Sequence, residues 1–311
     1  MNFELYPWLQ DLDSEQAQVA LSASRFKLRE TGAVTFPSFL DPAALLQCVQ
    51  DARAQEDAAF TTDDTHTAYL QPMDVDKFPL DSIYNHEMRT LVASTAFDEL
   101  PAGSPLTGLY HHPTLLRLVS LLVNKKLFWS EDPLGCCSIN VFRPGYYHSF
   151  HFDESEFSTT LMLQDAEDES SGLFQCTDPL RQTSDELVLS QVAAVIDKYD
   201  ENTRESRQFT ELVVNGTKDP VPLLHTLDFR PGTLAIFSGS KSLHRVTPVK
   251  GNRSRLVAVF TFATQPGFCN SPQVQTLFWG RAVQPSKEQK IAIASDNAQE
   301  CDNKRDEAGF E

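Results

Sequence analysis

The chain has 311 residues, 41% apolar and 22% charged, enough to bury a substantial core as one large domain or two modest ones. Its 26 Lys and Arg against 43 Asp and Glu leave a formal charge of −17. That balance opposes nucleic acid, anionic membranes and free acidic metabolites, so an anionic ligand would need dedicated basic side chains. No apolar run of about eighteen residues is present, and the first residues show neither the basic n-region nor the apolar stretch of a secretory signal. The expectation is a cytoplasmic protein with no membrane or nucleic-acid partner, a small-molecule substrate and an open oligomeric state. The six cysteines (Cys48, Cys136, Cys137, Cys176, Cys269 and Cys301) form no C-x-x-C pair, as expected of reduced, mostly buried thiols. The sequons at Asn215 and Asn252 carry no weight without a signal peptide.

In chain order, residues 1–104 read as a helix-rich region packing on the core. A short strand is expected over 33–40. Asp41-Pro42 then forms an N-cap with proline at the first helical position, and Leu45, Leu46, Val49 and Ala52 follow at helical spacing. Residues 61–80 are polar and turn-rich, the pattern of a surface loop. A second helix fits 113–124, where Leu115, Leu116, Leu118, Val119, Leu122 and Val123 make a broad apolar face. From about 126 the pattern changes to short β-like runs, at 127–129, 137–142, 158–163, 173–176, 233–237 and 256–262. Arg143-Pro-Gly145 and Arg230-Pro-Gly232 supply turns between them. Many short strands at this spacing predict a mainly β sandwich or jelly roll with flanking helices rather than βαβ units. The predicted core spans 105–265. It is interrupted by a helical insertion near 183–200, with a capping box at Thr183–Glu186 and a stripe of Val188, Val192, Val195, Ile196 and Tyr199. Residues 266–311 read as a partly disordered extension.

The chemistry concentrates in Arg143-Pro-Gly-Tyr-Tyr-His148-Ser-Phe-His151-Phe-Asp153. On a strand end, His151 and Asp153 point to one face, because residues i and i+2 do. A second histidine from another strand would complete a facial set of two imidazoles and one carboxylate, leaving coordination positions open. His244, in Ser242-Leu-His-Arg-Val, is the candidate, ranked above His225. About one H-x-[DE] pairing is expected from composition alone, so the motif gains its force from context. That context is a strand before His244, with Arg253 and Arg255 following at the start of the last apolar run. A guanidinium there can hold a carboxylate bidentately.

The H-x-D, the distal H-R-V and the arginine opening the next strand together resemble the Fe(II)/2-oxoglutarate-dependent oxygenases. The resemblance spans roughly residues 105–265, and the stretch 31–41 is similar to the strand and helix that commonly precede that core. It implies a double-stranded β-helix (jelly roll, cupin-like), with iron on His151, Asp153 and His244 and with 2-oxoglutarate and O2 as cosubstrates. R-P-G-x-x-H-x-x-H-x-D and Gly172-Leu-Phe-Gln-Cys176 more narrowly resemble the branch acting on free amino acids and their derivatives. That branch includes hydroxylases, radical halogenases and the ring-closing algal kainoid synthases. Asp153 disfavours halogenation, in which a small residue replaces the carboxylate. Hydroxylation of an unactivated C–H is the expected outcome, with oxidative cyclisation next. Protein hydroxylation and a non-catalytic binding module are the other readings. The resemblance places His148 on the substrate side and Arg255, ahead of Arg253, on 2-oxoglutarate. Asn140 can supply an amide to substrate or cosubstrate. Arg89 and Arg143 are the first candidates should the substrate itself be acidic. His66, His86, His111 and His112 read as structural or exposed, and Tyr146 and Tyr147 as rim residues.

Overall fold

A computed structural model describes residues 1–200, 209–214 and 221–283. Asn215, Cys301 and the tail from 286 lie outside these residues. The helices are α1 (Glu15–Thr31), α2 (Pro42–Gln55), α3 (Pro105–Tyr110), α4 (Pro113–Val123), α5 (Leu189–Tyr199), α6 (Thr210–Val214) and α7 (Pro272–Trp279). The strands before the core are β1 (Ala33–Phe36), β2 (Phe60–Thr67), β3 (Glu87–Thr95) and β4 (Phe128–Trp129). Those that follow are β5 (Cys137–Phe142), β6 (His148–His151), β7 (Ser158–Gln164), β8 (Phe174–Thr177), β9 (Leu224–Thr226), β10 (Leu234–Phe237), β11 (His244–Val246), β12 (Arg255–Phe260) and β13 (Phe262–Ala263). Among the described residues no helix is long and apolar enough to cross a membrane.

A seven-stranded sheet runs β1-β10-β7-β12-β5-β3-β2 and a four-stranded sheet runs β6-β11-β8-β9. From β5 to β12 the chain steps between these sheets, with β5, β7, β10 and β12 in the larger and β6, β8, β9 and β11 in the smaller. This is a double-stranded β-helix, the mainly β jelly roll that the strand spacing predicted. Both Arg-Pro-Gly turns form: Tyr146 N–H donates to Arg143 O at 2.8 Å and Thr233 N–H to Arg230 O at 3.0 Å. Gly145 and Gly232 occupy the left-handed position (φ +85° and +83°) that such a turn requires after proline.

The larger sheet is buried on both faces. Val34, Ile139, Val141, Leu161, Leu163, Ile236, Leu256 and Ala258 pack against α1–α4 in one core, while Phe142, Met162, Ala235, Phe237 and Val257 face Phe174, Cys176 and Val246 of the smaller sheet in another. Strict alternation thus sends neighbouring residues into two different cores, which is why these strands read as continuous apolar runs. Behind the smaller sheet, Phe150, Phe152 and Leu243 pack against the α5 stripe of Val192, Val195 and Ile196.

Four expectations change. Residues 60–67 and 87–95 are strands, where a surface loop was expected over 61–80 and no strand near 90; they pair from Phe60↔Ser94 to Thr67↔Glu87. β2 is an edge strand on which Asp63, Asp64 and Thr65 are exposed and threonines, Thr62 and Thr67, take the buried positions, so the apolar alternation that marks a strand is missing. Three strands from the first 104 residues are therefore hydrogen-bonded into the sheet, beside the helices that pack on it. In α2 the cap forms as expected, with Asp41 accepting from Ala43 and Ala44 N–H, but Leu46 lies off the apolar stripe and is 60% exposed. The Thr183–Glu186 box closes a turn upstream of α5: Glu186 accepts from Gln182 N–H at 2.6 Å, and Val188 precedes the helix with no side-chain cap.

α7 is anchored through one buried carboxylate. Asp132 accepts from the Leu134, Gly135 and Asn270 N–H groups and from Gln275 Nε2, at 2.8–3.0 Å. Asp132→Ala leaves these donors buried without an acceptor, so stability should fall by about 3 kcal/mol, read as a lower urea midpoint with unchanged slope.

Candidate metal centre

β6 and β11 run antiparallel with His151 directly opposite His244, and Asp153 lies two residues beyond His151 on the same face. The three ligand atoms lie within 4.8 Å of one another. His151 Nε2 and His244 Nε2 each stand 3.3 Å from Asp153 Oδ1. Each imidazole is fixed by its other nitrogen, His151 Nδ1 on Ser149 O at 2.8 Å and His244 Nδ1 on Ser242 O at 2.9 Å. A carbonyl can only accept, so Nδ1 of each ring carries a proton and each Nε2 is turned toward the carboxylate, the nitrogen a metal would take. Burial opposes the charged form of Asp153, and the facing imidazoles of His244 and His151 outweigh it, holding the carboxyl well below its usual range. Burial, then His244, lowers His151; in His244 burial is offset by the charge and hydrogen bond of Asp153, which raise it.

The carboxylate is held from behind. Its Oδ2 accepts from the Ser158 hydroxyl, and its own N–H donates to Gly239 O at 3.0 Å. A Cβ at Gly239 would stand 2.1 Å from that Oδ2, so only glycine allows the approach.

His148 stacks on His151 with ring centres 3.9 Å apart, beside the metal set. Burial, followed by the neighbouring imidazoles, drives its pKa well down, so it is neutral. His66, expected to be structural or exposed, sits edge-on to both rings at 5.7 and 5.8 Å. Its Nδ1 faces Thr67 O at 3.0 Å and its Nε2 faces Thr90 Oγ1 at 2.6 Å, and Thr90 Oγ1 also accepts from Ser149 N–H. Recognising it from sequence would have required identifying β2 as a strand. His225 stands at Asp178 on β9, outside the cluster.

The arginines divide sharply. Arg255 opens β12 opposite Phe142, points between the sheets and is 2% exposed. Its guanidinium lies over the Phe142 and Phe229 rings at 5.2 and 5.9 Å, and its Nε has no hydrogen-bond partner. It forms no ion pair among the described residues. Burial lowers its pKa to about 9, so it remains a cation at neutral pH. It lines a cavity of about 260 Å³ together with Phe174, whose ring also packs on His244 at 5.6 Å. Asn140 shares the inner face, opposite Val257, with its amide oxygen accepting from Ser94.

The other three candidate arginines are bonded elsewhere in this structure. Arg253 precedes the strand and turns outward onto Asp165 Oδ1 at 3.1 Å and Ala166 O at 2.9 Å. Arg89 makes a two-pronged pair with Asp63 at 2.7 and 2.8 Å at the surface. Arg143 donates to Thr61 Oγ1 and Glu56 O over the Tyr146 ring. Each was chosen for its charge, and each finds its acceptor on a segment distant in sequence.

No family model matches the sequence, and no curated protein matches it. Solved structures do. The chain superposes on the epimerase SnoN in complex with Fe3+, alpha ketoglutarate and nogalamycin RO with TM-score 0.53 at 13% identity, covering 87% of this chain and 94% of that one. It matches the non-heme alpha ketoglutarate dependent carbocyclase SnoK from nogalamycin biosynthesis with TM-score 0.51 at 15% identity, covering 89% and 96%. For AviO1 from Streptomyces viridochromogenes Tue57 the values are 0.51, 12%, 81% and 97%. The chain shares their fold.

The donor set fits a divalent cation: the Nε2 atoms of two imidazoles and one carboxylate converge within 4.8 Å. Gly239→Ala should push Asp153 out of line and weaken Co(II) binding about tenfold, measured by titration of the visible cobalt bands.

Proposed function

We propose that this chain is a non-haem Fe(II)- and 2-oxoglutarate-dependent oxygenase of a small molecule. The observation that carries the reading is the convergence of His151 Nε2, His244 Nε2 and the Asp153 carboxylate, each oriented by a partner on its far side. Arg255 supports it as a buried cation, without a counter-ion among the described residues, lining a cavity whose wall packs on His244. A dicarboxylate with one end at the metal and the other at Arg255 satisfies both features. Such an acid is 2-oxoglutarate, named in SnoN and SnoK as alpha ketoglutarate.

His151, Asp153 and His244 would hold the iron, and Arg255 would take the distal carboxylate, with Asn140 offering an amide on the same inner face. Bound iron would supply the O2 chemistry, so that substrate C–H, 2-oxoglutarate and O2 give the hydroxylated product, succinate and CO2. The protein orients the ligands and excludes water. Phe142, Phe174, Phe229 and Phe237 line the interior with apolar faces, which strengthens every charge interaction within it. His148, neutral and stacked on His151, stands beside the metal set as a substrate contact. The substrate is an amino acid or an amino-acid-derived small molecule and hydroxylation is the primary outcome; ring closure by the same hydrogen abstraction is the second.

Asp153→Ala should abolish succinate release coupled to substrate, and full turnover in that variant would overturn the iron assignment. Arg255→Gln should raise the KM for 2-oxoglutarate about a hundredfold, the loss expected when one partner of a buried charge pair is removed. Arg253→Gln should leave it within about twofold, because that side chain is committed to Asp165. Product mass identifies the outcome: one added oxygen for hydroxylation, two lost hydrogens for ring closure or desaturation.

A further inference from the structure

The cavity beside Arg255 opens away from the metal set. Its wall includes Met162, Gly172, Phe174, Phe229, Arg230 and Arg255, and none of His151, Asp153 and His244 lines it. The two places lie at opposite ends of the strands. Asp153 is held by Ser158, the first residue of β7, whereas the cavity touches Met162 and, past the strand end, Asp165 and Ala166. In the smaller sheet His244 opens β11 opposite Cys176, and the pairing reaches Phe174 at the cavity wall only two residues later.

Arg255 is the buried cation of this cavity. It is 2% exposed, its Nε is buried without a partner, and its guanidinium makes no hydrogen bond among the described residues. Gly172 leaves the space beside its stem: a Cβ there would stand 3.0 Å from Arg255 Cδ. The acids around the cavity do not compensate the charge, because each is already held by another arginine. Arg253 takes Asp165 at 3.1 Å, and Arg230 takes Glu169 at 3.0 Å and Asp228 at 3.5 Å. A buried cation with unmet donors favours an anion that can reach it.

Arg230 stands at the mouth. The Arg230-Pro-Gly232 turn fixes its backbone, and its side chain is 59% exposed, against 70% for Glu169 and 83% for Asp228. Pairs so exposed are weak, so a ligand carboxylate can replace Glu169 on Arg230 at little cost. The cavity of about 260 Å³, at about 30 Å³ for each water-sized group, has room for an acid of four or five carbons.

We propose that this cavity is a dicarboxylate site that works without the metal, with one carboxylate on Arg255 and the other on Arg230. It goes beyond the oxygenase reading, sharing Arg255 with it but needing no iron, so that the two fail separately. The metal-free full chain is titrated calorimetrically with succinate, glutarate and propionate. At least one of the two dicarboxylates should bind. Arg255→Gln should weaken it about tenfold or more, and Arg255→Lys, which keeps the charge and loses the fork, should fall between. Arg230→Gln, a change confined to an exposed side chain, should weaken the dicarboxylate about fivefold and propionate less than about twofold. Loading with Co(II) should leave the dicarboxylate's affinity within about twofold, while tightening 2-oxoglutarate about tenfold or more. No dicarboxylate binding to the metal-free parent, unchanged affinity in Arg230→Gln, or dicarboxylate binding that requires Co(II) overturns the proposal. Binding of 2-oxoglutarate no tighter with Co(II) than without it instead overturns the oxygenase reading.

Discussion

The pairing of β6 with β11 is the constraint on which the site depends. Antiparallel register places His151 across from His244, and the two-residue period of an extended chain brings Asp153 to the same side. A slip of β6 by one residue would turn His151 toward the core behind the smaller sheet, where Phe150, Phe152 and Leu243 now pack. The apolar residues flanking each ligand thus hold the register, because burying them and presenting the ligands are the same geometric requirement. Ser149 and Ser242 carbonyls then set the tautomers, and Gly239 leaves space for the carboxylate.

Charge is distributed in two regimes. At the surface, Arg89, Arg230 and Arg281 pair with exposed carboxylates, where solvent screening leaves little net energy per pair. Inside, Arg255 and Arg181 lie over aromatic rings with no carboxylate partner among the described residues. In a chain with 43 acidic residues, the exclusion of acids from these two guanidinium groups is a structural feature in itself. At Arg255, which lines a cavity, it leaves a cation facing that space, and the low polarity around it makes the charge of anything bound there count heavily.

In the larger sheet β5, β7, β10 and β12 were legible because both faces there are buried, so each is an unbroken apolar run flanked by turn residues, whereas β9 of the smaller sheet was not expected. The Arg-Pro-Gly turns were legible for a similar reason: proline and a left-handed glycine admit few other conformations. β2 was not legible. At the edge of the sheet Asp63, Asp64 and Thr65 meet water and threonines fill the buried positions, so Phe-Thr-Thr-Asp-Asp-Thr-His-Thr carries no apolar alternation to read. The place of His66 beside His148 and His151 was not legible either, since it follows only from that strand.

His151 and Asp153 could be placed on one face from the amino-acid sequence because residues two apart on a strand share it, while their choice as a set with His244 rested on the surrounding motifs and the resemblance they carry. The preference for Arg255 over Arg253 rested on the same resemblance, measured back from the start of the apolar run, since the two share strand parity. What the other arginines do was decided by the tertiary structure alone. Arg253 met Asp165, Arg89 met Asp63 and Arg143 met backbone carbonyls, while Arg181 met two aromatic rings. A guanidinium's role depends on which acceptors come within about 3 Å of it, and those acceptors come from segments that only folding brings together.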